Sequence, residues 1–142
     1  MELAVVSIDG RRVPPRREME GVTDRLAARR CAEAVSIESN SREAHLVADR
    51  LGIKACTVPV IDFDSLIRNR AGTNVAVLCD AGSVRELVAD VLDVPERALP
   101  LPRQLSLTIV RASRSGARSV LCLNDTMHLT TGDRTPATVE GM

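Results

Sequence analysis

Two apolar runs, each closing on an aspartate and a turn of small residues, restrict this chain more than any other feature. The first is "ELAVVSIDG" at residues 2–10 and the second is "NVAVLCDAGS" at residues 74–83. Aliphatic and β-branched runs of this length, bounded by glycine, predict buried strands over residues 2–9 and 74–80. Each strand delivers a carboxylate, Asp9 or Asp80, to the point where the chain leaves the sheet. Ligands of α/β proteins bind in the crevice outside the carboxyl ends of the strands. Asp9 and Asp80 are therefore the first candidates for a site.

The segments between these strands supply helices. Residues 22–34 carry apolar groups at helical spacing, and a short strand around 34–37 follows. Residues 39–52 offer Ser39 or Ser41 as N-cap and Gly52 as a stop. "ACTVPVIDF" is expected to be extended, with Pro59 limiting its pairing and Asp62 and Asp64 on one side of Phe63. Residues 81–95 form a helix in which Ser83 and Glu86 have capping-box spacing. The basic stretch "GRRVPPRREMEG" is expected to be a loop because of its double proline. "QLSLTIVRAS" and "RSVLCLND" flank "RSGA" as a hairpin. Alternating strands and helices followed by a hairpin predict an α/β fold, a mostly parallel sheet with helices on both faces. The length of 142 residues fits a single domain over 1–129 with a flexible tail over 130–142.

Charge narrows the partners. Nineteen basic residues balance nineteen acidic ones, and tryptophan and tyrosine are absent. Binding of nucleic acid or anionic membrane through bulk charge or base stacking is therefore not expected. Cys31, Cys56, Cys79 and Cys122 are scattered, without metal-ligand spacing, and read as free thiols inside apolar runs. Neither a signal peptide nor a spanning apolar run is evident, so a cytoplasmic protein without cofactors is expected.

Taken in order, "LAVVSIDG", "AVSIESNSREAHLVADRLGI", "VIDFD", "NVAVLCDAGSVRELVADVLDVP" and "LSLTIVRAS…SVLCLNDTMHL" resemble the histidine phosphatase (phosphoglycerate mutase-like) superfamily over most of residues 2–129. The resemblance implies that fold, with a reduced lid, because the insertion expected after "IDFD" has shrunk to "SLIRNRAGT". It also implies where binding residues should lie: Ile8, Asp9 and Gly10 at the first strand end, Ser39 and Arg42 on the following helix, and Val60. Asp80, Ala81 and Gly82 stand at the second strand end, and His128 follows the hairpin. The family carries arginines where Ile8 and Ser39 stand, histidines where Asp9 and Asp80 stand and a glutamate at Val60, so the chain departs from it systematically, while a histidine at His128 is usual in the family.

Phosphoryl transfer through phosphohistidine needs an imidazole nucleophile caged by cationic and N–H donors. Two carboxylates reverse that field. Like charges about 4 Å apart repel by roughly 4 kcal/mol at an effective dielectric near 20. The sequence thus predicts a phosphatase-like scaffold without the family reaction, keeping a small-molecule ligand or a protein partner. The alternative is a repurposed enzyme with Asp9 and Asp80 as an acid/base pair, or a divalent metal site that His128 completes. Plain capping of turns by both aspartates is the third reading. The shortened lid leaves apolar surface that a homodimer would cover.

Overall fold

A computed structural model describes residues 1–129, so the tail expected over 130–142 lies outside the described residues. The chain runs β1 (Glu2–Ser7), α1 (Arg16–Ala27), β2 (Cys31–Ser36), α2 (Ser41–Leu51), β3 (Lys54–Thr57) and α3 (Phe63–Asn69). It continues through β4 (Asn74–Cys79), α4 (Ala81–Leu92), β5 (Leu107–Ala112) and β6 (Arg118–Asp125). One six-stranded sheet has the order β3-β2-β4-β1-β5-β6. The pairs β2–β3, β2–β4 and β1–β4 are parallel, whereas β1–β5 and β5–β6 are antiparallel.

Strand alternation sorts the aliphatic residues of β1 to two cores. Ala4, Val6 and Ile8 pack with Met19, Val22 and Leu26 of α1 and with Val47 of α2. Leu3 and Val5 pack on the other face with Leu66 of α3 and with Val84 and Leu87 of α4. Helices therefore cover both faces, as the sequence predicts. On the second face, buried Glu33 pairs with Arg70, which ties the end of α3 to β2.

Three element expectations need correction. The basic stretch is only partly loop: α1 starts at Arg16 directly after Pro15 and ends at Ala27. Proline suits the start of a helix, where its missing N–H has no intrahelical partner to lose. Residues 31–33 belong to β2 rather than to a helix, because Cys31 pairs with Asn74 and Glu33 with Val75 of β4, with a bulge between them. The residues after Ile61 are helical, not extended, because the Asp62 carboxylate accepts the Ser65 N–H at 3.1 Å and starts α3. Gly52 stops α2 in the left-handed conformation (φ 68°), as expected.

Candidate functional site

Asp9 and Asp80 leave the sheet side by side. Ser7 is in register with Cys79 across the parallel pair β1–β4, and the Ile8 N–H donates to the Cys79 carbonyl at 2.8 Å. The structure thus brings the two strand ends together at the carboxyl edge of the sheet. It also gives each carboxylate local work.

Asp80 is the N-cap of α4. Its Oδ2 accepts the Ser83 N–H at 3.0 Å and its Oδ1 accepts the Ser83 hydroxyl at 2.7 Å. The capping residue is therefore Asp80, three positions before the Ser83 that the sequence suggested, and Ser83 is its donor. Gly82 admits this geometry, since a Cβ there would stand 3.1 Å from the Asp80 Oδ2. Burial alone would push the Asp80 carboxyl up. The Ser83 hydroxyl and the N–H groups of Ser83, Asp80 and Gly82 outweigh it and hold the group below the ordinary carboxylate value. A carboxylate so held stays ionised at neutral pH, whereas a general acid needs a raised pKa.

Asp9 closes a turn in the same manner. Its Oδ1 accepts the Arg11 N–H at 2.9 Å, and its carbonyl accepts the Arg12 N–H at 3.2 Å. Gln104 pins this turn from the start of the hairpin: its side-chain oxygen accepts the Asp9 N–H, and its amide nitrogen donates to the Arg12 carbonyl at 3.4 Å. Nothing local in the sequence marks Gln104, because its partners lie more than ninety positions away. Gly10 follows on the exposed crest of the turn, and Ile8 is buried in the core between the sheet and α1.

The remaining candidates do not converge. Ser39 is exposed on a short 3-10 turn after β2. Arg42 is exposed on α2 and faces the α1–α2 groove, whereas Val60 faces a groove between α3 and α4 on the opposite side of the sheet. Ala81 and Gly82 form the first turn of α4. His128 is occupied on both ring nitrogens: Nε2 contacts the Leu105 carbonyl at 2.5 Å, and Nδ1 lies 3.3 Å from the Arg25 guanidinium. Arg25 also donates to Asp125 at 2.6 Å, which draws that carboxyl down to about 2. This trio clamps the end of the hairpin onto α1.

Among the described residues, no three His, Cys, Asp or Glu side chains converge as metal ligands. Asp9, Asp80 and His128 thus do not make the divalent site considered above. Cys79 precedes Asp80 but is buried, and desolvation pushes its thiol up to about 12, which removes it as a nucleophile. All four cysteines are free thiols. No described helix is long and apolar enough to cross a membrane.

No family model and no curated protein sequence matches the chain. Solved structures do. YhfR of Bacillus stearothermophilus superposes with a TM-score of 0.73 at 13% identity, covering 91% of this chain and 99% of that one. A mycobacterial glucosyl-3-phosphoglycerate phosphatase gives 0.67 at 11% identity, over 87% of this chain and 99% of that one. A phosphoserine phosphatase from Entamoeba histolytica, in complex with phosphoserine, gives 0.67 at 9% identity, over 91% and 99%. Likeness at such low identity establishes the architecture: the chain has a histidine phosphatase-like fold.

Proposed function

We propose that this protein is a histidine phosphatase-like scaffold without phosphatase or mutase activity, retained for binding. The observation that carries the reading is the Asp80 cap. The carboxylate takes up the N–H and hydroxyl of Ser83 at the N-terminus of α4, a place that otherwise favours an anion. A phosphate arriving there meets a fixed negative charge in place of free donors. Two further features support the reading. Ile8 is buried in the core and offers no cation to the crevice. Asp9 has its carboxylate in a turn hydrogen bond.

Hydrolysis assays on the full chain with a panel of small phosphomonoesters test this reading directly. The expected result is release of phosphate at the rate of buffer alone. Turnover by the wild type that disappears in Asp80→Ala overturns it.

A further inference from the structure

The chain carries both halves of a complementary pair of surfaces, on opposite faces of its sheet. One half is the segment "RRVPPRR" at 11–17. Arg11, Arg12, Arg16 and Arg17 are exposed, and so is Val13 at 70%. Pro15 has φ −58° and ψ 141°, a polyproline conformation held by its place at the head of α1. Val13 and Pro14 border the α1–α2 groove, so the segment belongs to that side of the sheet.

The other half is the groove between α3 and α4, about 480 Å³ in volume. Its apolar lining is Val60, 70% exposed, with Ile61, Leu87 and Phe63, the single Phe, Trp or Tyr of the whole chain. Its rim carries Asp62, Asp64, Glu86 and Asp90. The one basic lining residue, Arg118, is already paired with Asp64. Asp62 is taken up as the cap of α3, which leaves Glu86 and Asp90 as the rim carboxylates without a cation. Pro14 is buried and Arg16 and Arg17 open α1, so the exposed Val13 and Pro15 are fixed in place and dock at little ordering cost. Flanking arginines against a carboxylate rim add direction and register.

We propose that the 11–17 segment of one copy docks in the α3–α4 groove of a second copy, joining molecules head to tail. The segment is held on its own side of the sheet by buried Pro14 and by α1, which Arg16 and Arg17 open, so it does not swing into the groove of its own chain. A contact between two different patches is heterologous, so it propagates rather than closing at a symmetric dimer. The proposal gives the binding role above a partner. It rests on that reading only for its biological purpose.

Sedimentation velocity of the full chain tests it. The average mass should rise above the 15.3 kDa of one chain as concentration increases. Raising salt from about 0.05 M to about 0.5 M should weaken the association roughly tenfold, through screening of the rim. A loop variant, Arg12→Ala with Arg16→Ala, and a groove variant, Glu86→Gln with Asp90→Asn, should each remain monomeric. Mixed in equal amounts, the two variants keep one intact loop and one intact groove between them. They should form a complex of two chains and no larger species. Self-association of either variant at the wild-type level overturns the proposal, and so does a mixture that stays monomeric. A monomeric wild type that binds a synthetic RRVPPRR peptide would assign the groove to a basic segment of another protein and equally overturn self-docking. A monomer without phosphatase activity would remove this inference and leave the non-catalytic role standing.

Discussion

Replacing Asp80 with alanine removes the cap of α4 and both hydrogen bonds to Ser83, at 3.0 Å and 2.7 Å. Loss of an N-cap costs about 1 kcal/mol, within a range of roughly 0.5–2. The Ser83 hydroxyl faces solvent and re-forms its bond with water, so it adds little. The net loss should be about 1–2 kcal/mol, or roughly 3–7 °C in melting temperature for a domain of this size. Asp80→Asn keeps a capping oxygen and loses only the charge at the helix terminus, worth about 0.3–1 kcal/mol. The sign with pH follows from the lowered carboxyl. Stability from the ionised form is complete above the unfolded value near 3.9 and is lost as pH falls toward the folded one. The gap between wild type and Asp80→Asn should therefore close in acid. Urea unfolding followed by far-ultraviolet circular dichroism measures this, since no tryptophan or tyrosine is present to report by fluorescence. An alanine variant as stable as the wild type, or more stable, would refute the cap and return Asp80 to a chemical role, because functional groups are commonly held at a cost in stability.

The clamp on α1 gives a second test. Asp125 is only 21% exposed, and Arg25 draws its carboxyl from 3.8 to about 2. That difference corresponds to about 2 kcal/mol, present above pH ~4 and lost as pH falls through ~2. Arg25→Met should remove most of this acid dependence, leaving the part due to the Met127 N–H, and urea midpoints taken across that pH range would reveal it. Gly21→Ala tests packing against propensity. Alanine favours a helix by about 1 kcal/mol, yet its Cβ would lie 2.8 Å from the His128 carbonyl oxygen. The overlap costs about 1–3 kcal/mol, so the variant should melt lower; a higher melting point contradicts the contact. Finally, the thiols of Cys79 and Cys31 are pushed up to about 12 and about 11 by burial. Neither should react with a disulfide reagent in the native protein at mildly alkaline pH, and rapid labelling of Cys79 would contradict its burial.

The sheet was legible where a segment's partners are apolar and its pattern is long. β1, β4 and the hairpin follow from unbroken aliphatic runs, and the end of α2 follows from Gly52. Reading failed where one residue serves distant structure. Gly21 looks like a loop residue, but it sits inside α1 because the His128 carbonyl, over a hundred positions away, needs the space of its missing side chain. Asp62 looked like part of a strand because alternation around Phe63 hid its capping of α3. At the site, the neighbourhood of Asp9 and Asp80 was readable from two matching strand ends. The occupation of their carboxylates was readable only as one option among three. Gln104 and the Arg25–Asp125–His128 clamp depend on contacts across about a hundred residues, which no local pattern encodes.

The function proposed above requires that the capped carboxylates at the strand ends exclude an anion. Calorimetric titration of the full chain with inorganic phosphate addresses it most directly. Repulsion of roughly 4 kcal/mol from a single fixed carboxylate is about a thousandfold in affinity. The expected result is no saturable heat up to about 10 mM phosphate. Saturation at micromolar phosphate would contradict the account and restore the crevice as a working phosphate site.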